Sequence, residues 1–548
     1  MQKSGVRKAP NHKTSGDSGP SIQPYVARML EPGLYGKDVE RVRMLQTHTS
    51  WVFLTGTHAY KVKKPVNFGF LDYTTLSARR HFCNEEFRLN RILSPDIYIR
   101  VVPITMTRGR LALGGRGQVI DYCLEMRELP QEWIMTEQLR LGHVTYEHVD
   151  SIARSIADFH KQAEHGSDVA KYGSIETIRF NWDENFAQTT EFVGRTITRR
   201  QFDETKAAVE RFMAQKRGLF QRRRSGGFVR RCHGDLHSRN IFVLPADGSD
   251  KSAGPEVRIF DCIEFNPRFS CSDVASEIAF MAMDLDYWGR KDLADFFVER
   301  YMAYTGDNGL PRLLNFYKCY RAYVRGKVTS FVLNDPGVGP ADKVKAAKTA
   351  SQYFGLSHRY ATGMAVRPRL VVMMGLPAVG KTHLARRLAE RIGAFHLLSD
   401  SVRKQLLGIP VGQRRTEGFG GGIYKGNISE KTYEELLRRA RVFLAAGFSV
   451  VADATFLSDD SRRRARAAAA KAGVSVLFVF ADCPERTVRS RLRRRAGEYS
   501  FSDATIDIYR AMKSRFTPPE PGRDIIKIDT RLPLKRSLAK IERALLRI

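Results

Sequence analysis

Two short strings carry residues whose types and spacing suit the movement of a phosphoryl group. In CHGDLHSRNI, Cys232 to Ile241, Asp235 and Asn240 stand five apart in a loop that leads into the apolar run NIFVL, and Asp261 closes the next such run, VRIFD. Phosphoryl transfer needs positioning and charge neutralisation more than covalent chemistry, so an Asp that orients an acceptor hydroxyl and an Asn plus Asp that hold Mg²⁺ form a sufficient set. The second string, GLPAVGKT, places Gly375, Leu376, Pro377, Ala378, Val379, Gly380, Lys381 and Thr382 directly after an apolar strand. That context turns a common pattern into a phosphate cradle: the glycines let backbone N–H groups approach phosphate, Lys381 reaches the β and γ oxygens, and Thr382 offers its hydroxyl to Mg²⁺. Asp453, at the end of FSVVAD, fits a carboxylate that holds the metal's water. In LLSDSVRKQL, Asp400 and Arg403 lie three apart at a strand-to-helix turn, where both can face a γ-phosphate.

The elements that must position these residues divide the chain. Residues 1–23 read as a disordered basic tail. From 24 to 130 the pattern is strands with one helix, LSARRHFCNEEFRLNRIL, which makes a small lobe. From 131 to 363 helical patterns dominate, giving a larger lobe. After AVRPR, Ala365 to Arg369, five apolar runs alternate with helices over 366–548, the pattern of an α/β domain with a parallel, doubly wound sheet. The Gly-rich piece Gly418 to Asn427 reads as a loop within it.

The motif HGDLHxxN, followed by a strand and Asp, resembles the aminoglycoside phosphotransferase branch of the protein-kinase-like superfamily. The resemblance implies an α+β two-lobed domain in which Asp235 is the catalytic base and Asn240 and Asp261 bind metal. It also implies that Lys61 of AYK contacts the nucleotide phosphates, with Lys63 on the same strand face as the rival. Glu85 would be the helix partner of that lysine, with Glu86 next in line, and CLEMRELP, Cys123 to Pro130, would be the adenine-binding hinge. Two departures stand out: THTS, Thr47 to Ser50, occupies the turn where a Gly-rich loop is expected, and DCIE replaces DFG, with Glu264 available to assist the metal. The DxxR of the second half resembles P-loop kinases related to polynucleotide kinase and gluconate kinase. By that resemblance Asp400 activates an acceptor hydroxyl, Arg403 clamps the substrate, and Arg491 and Arg495 act as lid arginines. The whole resembles bacterial fusions of an aminoglycoside phosphotransferase-like domain with a P-loop kinase-like ATPase domain.

Composition bounds the partners. The 90 Lys and Arg outnumber the 59 Asp and Glu to give a formal charge of +31, which attracts phosphate-rich ligands and repels polycations. The only acidic cluster suited to a cationic acceptor is Asp273, Glu277, Asp284 and Asp286. Arginine clusters at 222–224, 462–464 and 493–495 lack interleaved aromatics, so a nucleic-acid partner is possible and not favoured. Seven scattered cysteines form no zinc-spaced cluster, and no apolar run is long enough for a signal peptide or membrane span, so a reduced, cytoplasmic protein is expected. The expected activity is a kinase with two Mg-ATP sites, each phosphorylating a small-molecule hydroxyl. Two alternatives stay open: a P-loop half that phosphorylates nucleic-acid 5′ hydroxyls, and a kinase-like half that only senses ATP. Acceptor choice is assigned to the loops Asn181 to Gln188 and Gly418 to Asn427.

Overall fold

The computed structural model describes residues 23–245, 255–410, 413, 426–494, 505–520 and 522–548. The expected tail up to residue 22, residues 418–425 of the Gly-rich piece, and Arg495 lie outside them. The described residues form two compact units. One is the described part of Met1–Asn84 with Ile97–Glu128 and Asp335–Asp342; the other is Glu85–Asp96, Leu129–Asn334 and Lys343–Ile548.

The first unit is built on an antiparallel sheet. Its strands are β1 (Arg43–Gln46), β2 (Ser50–Leu54), β3 (His58–Lys63), β4 (Tyr98–Thr107), β5 (Arg110–Leu113) and β6 (Gln118–Arg127), in the order β1-β2-β3-β6-β4-β5. Period-two alternation decides the faces: Tyr60 and Val62 of β3 enter a core with Trp51, Phe53, Val102, Ile104 and Cys123, while Ala59, Lys61 and Lys63 take the opposite face. The expected hinge is therefore mostly strand, since Cys123 pairs with Val62 and Val102, and only Glu128 to Pro130 leave the sheet.

The second unit holds the larger lobe and the P-loop sheet. Short strands β7 (Val229–Arg231) and β10 (Cys271–Asp273) pair antiparallel, as do β8 (Ile241–Val243) and β9 (Val257–Ile259). The apolar runs of the C-terminal half become β11 (Arg369–Met374), β12 (Phe395–Leu398), β13 (Val450–Asp453), β14 (Ser475–Asp482) and β15 (Ile525–Asp529), all parallel, in the order β12-β13-β11-β14-β15. β11 has later strands on both sides, so the sheet's topological switch lies at its C-terminal end, where such sheets bind ligands.

Two expectations change here. The break expected between 363 and 366 does not separate two cores: one apolar cluster runs from Phe296 and Tyr301 through Phe354 and Tyr360 to Val372, Phe395 and Phe443. The reason is that the helix Lys291–Thr305 packs on the β12 edge, where Asp295 accepts the His396 N–H at 3.1 Å and the Lys291 ammonium lies 5.3 Å from the centre of the Phe395 ring. And Asn181 to Gln188 is helix, not loop, within Ile175–Thr189; Ser174 caps it by accepting the Thr177 N–H, and Ile178, Trp182 and Phe186 at four-residue spacing bury one face. Among the described residues no helix is long and apolar enough to cross a membrane.

Candidate functional site

The loop from His233 to Asn240 is held by buried polar contacts that fix its shape. Gly234 has φ +87, and a Cβ there would sit 3.0 Å from the Phe269 carbonyl oxygen and 3.2 Å from Ile263, so only glycine fits. The His233 ring donates from Nε2 to the Phe260 carbonyl at 2.8 Å, which leaves Nδ1 to accept the Asp235 N–H at 3.2 Å. Beneath the loop runs the helix Val274–Tyr287. Its buried Glu277 accepts the Gly234 N–H (2.7 Å), the His233 N–H (3.1 Å) and His160 Nε2–H (2.7 Å). Burial opposes the Glu277 charge, but His160 and the loop N–H groups outweigh it and hold the carboxyl below its ordinary range. Two turns on, Asp284 accepts the Ser238 N–H at 2.9 Å.

This frame presents Asp235 next to Asn240, whose Nδ2 donates to the Asp235 carbonyl (3.0 Å) and carboxylate (3.1 Å). His237 Nε2 lies 3.2 Å from the same carboxylate. Burial would raise the Asp235 pKa; His237 and the nearby Arg325 guanidinium more than offset it, so the carboxyl lies well below the usual range and is ionised at neutral pH. With Nδ2 committed, Asn240 turns its Oδ1 to whatever lies opposite. Asp261 does not end β9 as expected: the strand stops at Ile259, and Asp261 sits two residues into the following loop at φ +65. Left-handed backbone at a residue with a Cβ is uncommon and concentrates at functional positions. The next residue is anchored, since the Cys262 N–H donates to Asn90 Oδ1 at 2.9 Å. Asn240 and Asp261 thus offer the oxygen donors that suit Mg²⁺.

Several assignments need correction. On the helix Leu76–Leu93, Glu85 is half-buried and pairs with Arg88 (3.0 Å) and Arg231 (3.4 Å), whereas Glu86 is buried. Adjacent positions on a helix point about 100° apart, so the two acids differ in burial. The four acids suited to a cationic acceptor are all engaged within the fold: Asp273 pairs with Arg223 and caps a helix, Glu277 and Asp284 brace the loop, and Asp286 takes Lys318 (2.8 Å) and Tyr360 (2.5 Å). On β3, Lys61 is partly exposed, while Lys63 is buried with its ammonium 3.3 Å from the Tyr73 hydroxyl. The turn Thr47 to Ser50 does connect β1 and β2, and Lys64, which sequence reasoning passed over, secures it by donating to the Thr47 carbonyl at 2.6 Å.

The second site forms where β11 ends. Gly375 has φ +139 and a Cβ there would meet the Ala481 carbonyl at 2.3 Å; Ala378 has φ +60 and Gly380 φ +98 before the helix Lys381–Ile392 begins. Three positive-φ residues within six positions, just before a helix N-terminus, suit a backbone cradle for an anion. Asp453 ends β13 beside Met373 of β11. It is buried, and neither carboxylate oxygen has a hydrogen-bond partner; His396 Nε2 stands 3.5 Å away without alignment for one. Burial opposes its ionisation, but His396, Lys381 and Thr382 prevail and keep the pKa low. A buried carboxylate without an aligned hydrogen bond near Lys381 and Thr382 fits Mg²⁺. Leu398 pairs with Asp453, and just beyond it Asp400 receives Arg403 Nη1 at 2.5 Å. Tyr433 adjoins this pair, donating to or accepting from Thr455 Oγ1 at 2.8 Å and accepting the Phe456 N–H at 2.9 Å. Arg491, expected on a lid, braces the cradle: its guanidinium donates to the Val379 carbonyl (2.5 Å) and to Thr530 (2.9 Å).

Residues 370–519 match the family model described as an AAA domain. The matched stretch is the one that carries the cradle and the parallel sheet. It is 30% identical over 497 residues to uncharacterized protein Rv2004c of Mycobacterium tuberculosis and equally to uncharacterized protein Mb2027c of Mycobacterium bovis, spanning 90% of this chain and 93% of theirs. The chain belongs to the family of these mycobacterial proteins. Among solved structures, similarity extends to a gluconokinase from Sinorhizobium meliloti (20% identity, 33% of this chain and 93% of that one, TM-score 0.25). It also extends to a choline/ethanolamine kinase family protein from Mesorhizobium loti (9% identity, 61% of this chain and 97% of that one, TM-score 0.36).

Proposed function

We propose that the chain is a phosphotransferase with two Mg-ATP sites, each passing the γ-phosphoryl group to a hydroxyl of a small molecule. The observation that carries this reading is Asp453: a buried carboxylate with no aligned hydrogen bond, facing His396 at 3.5 Å and set near Lys381 and Thr382 at the switch point of the sheet. A purely structural Asp would have hydrogen-bond partners. In the P-loop site, residues 375–380 cradle phosphate, Lys381 neutralises it, and Thr382 and Asp453 hold the metal, which would screen charge on the transferring group. Asp400 takes the acceptor proton and Arg403 orients the acceptor. In the kinase-like site, Asp235 is the base and Asn240 and Asp261 are the metal ligands.

A second reading makes the kinase-like half an ATP sensor that gates the P-loop half. It draws support from the contact of Asp295 with the backbone of His396, whose ring faces Asp453. Transfer of label from γ-labelled ATP into a metabolite pool, compared among wild type, Asp235→Ala and Lys381→Ala, separates the two. Two independent kinases lose different products in the two variants. A sensor loses nothing in Asp235→Ala, and that result would remove the kinase assignment of the first half. The arginine clusters weigh against a nucleic-acid acceptor, because Arg223 is buried against Asp273 and Asp307, and Arg462 against Asp459 and the Phe456 and Thr517 carbonyls.

A further inference from the structure

The helix Lys291–Thr305 belongs to the kinase-like half, yet its buried acids are turned to the P-loop half. Asp292, Asp295 and Glu299 are spaced three and four apart and so share one face, and each is buried. Asp292 lies 3.9 Å from Arg386 of the helix Lys381–Ile392, and Asp295 accepts the His396 N–H of β12 at 3.1 Å. Glu299 pairs with Arg439 of the helix Gly426–Ala445.

The third contact reaches furthest. Arg439 divides its guanidinium among acceptors on three helices: Nε donates to Glu435 on its own helix at 2.7 Å, and Nη1 donates both to Glu299 and, at 2.7 Å, to Gln405 Oε1 on the helix Ser399–Leu406. With its oxygen taken, the Gln405 amide donates from Nε2 to Ser401 Oγ at 3.0 Å. Ser401 is buried next to Asp400, and Asp400 holds Arg403 one turn along. A series of side-chain hydrogen bonds thus runs from the kinase-like half to the helix that bears both Asp400 and Arg403. A helix of eight residues is too short to be stable by itself, so the contacts around it set where its side chains point. Without Glu299, Arg439 keeps Glu435 four residues back, and its guanidinium is drawn to its own helix and away from Gln405.

We propose that Glu299 of the kinase-like half is a positioning residue for the P-loop site: through Arg439 and Gln405 it fixes the helix that carries Asp400 and Arg403, so the acceptor-handling pair of one half is set by a side chain of the other. The inference rests on the P-loop half being a kinase in which that pair handles the acceptor. Phosphoryl transfer is sensitive to such placement, since a shift of about 1 Å in a reacting group costs on the order of 100-fold in rate. The cradle and its metal carboxylate stand on β11 and β13, outside this series of contacts, so nucleotide binding does not depend on it.

The test uses the full chain carrying Asp261→Ala, which leaves the P-loop site as the one at work. Transfer of label from γ-labelled ATP into a pool of sugars, polyols and hydroxylated amines gives the rate, and equilibrium dialysis of a non-hydrolysable ATP analogue with Mg²⁺ gives the nucleotide affinity. Glu299→Ala and Gln405→Ala should each lower the rate at saturating ATP about 10- to 100-fold and leave the analogue affinity within about twofold. Because both act through one series of contacts, the double variant should be no slower than the worse single variant by more than about twofold. Gln405→Ala leaves the pair of Glu299 with Arg439 in place and strands no buried charge, so it gives an answer even where Glu299→Ala fails to fold. A rate unchanged in either folded variant, a loss of analogue affinity that matches the loss of rate, or losses that multiply in the double variant would overturn the inference. Absence of any Lys381-dependent label in the parent chain would instead sink the kinase reading of this half, and the inference with it.

Discussion

Glu277→Gln isolates the brace that shapes the first site. The carboxylate accepts three hydrogen bonds, two from the loop backbone and one from His160, all buried. Glutamine keeps the volume, but its amide nitrogen must face one of those donors, leaving at least one buried N–H unsatisfied and turning the remaining charge-assisted bonds into neutral ones. Hydrogen bonds to a charged group contribute about 1.5–3 kcal/mol and a stranded buried donor costs about 1–3 kcal/mol, so the expected loss is about 2–4 kcal/mol. All four tryptophans precede residue 289, so their fluorescence in a urea titration follows this part of the chain without signal from the P-loop sheet. The pH dependence has a fixed sign. The folded carboxyl is held below its ordinary 4.5, so its contribution is complete above that pH and declines as pH falls through the folded value. The gap between wild type and variant therefore narrows in acid. A loss under about 0.5 kcal/mol at pH 7, or a gap that widens in acid, would refute the assignment of Glu277 as a charged brace.

Gly375→Ala drives a methyl into the Ala481 carbonyl, so nucleotide binding at the P-loop should fall at least about tenfold by equilibrium dialysis, while the tryptophan-reported unfolding is unchanged. Asp261→Gly relieves left-handed strain and adds unfolded-state entropy, two terms of about 1 kcal/mol that offset; urea midpoints should barely move while transfer dependent on Asp235 is lost. Arg223→Ala strands Asp273 and Asp307 as buried, uncompensated carboxylates and should cost about 3–5 kcal/mol in the same titration.

The P-loop half was the more legible in sequence, and the physics explains why. Strands buried on both faces read as unbroken apolar runs, so LVVMM and FSVVAD announced β11 and β13 without ambiguity, and the cradle follows from Gly375, Gly380 and Lys381 at fixed spacing. The pairing of Glu85 with Arg231 was not legible, because the two are 146 residues apart in sequence. Asn181 to Gln188, expected as a loop, is helix, and Trp182 and Phe186 four apart carried the helical signal. Glu277 and Asp284 are seven apart, two helical turns on one face, and that spacing could have marked them as a pair serving one neighbour rather than as a cation pocket. The continuity of the core across residues 363–366 had no sequence signal, since it arises from the Lys291–Thr305 helix meeting β12.

The central claim is that one chain holds two separate nucleotide sites. The most direct measurement is the stoichiometry of a non-hydrolysable ATP analogue with Mg²⁺, by equilibrium dialysis on wild type, Lys381→Ala and Asp261→Ala. The account predicts two sites per chain in wild type, one in each single variant and none in the double variant. A single site in wild type that Lys381→Ala removes and Asp261→Ala leaves intact would contradict it.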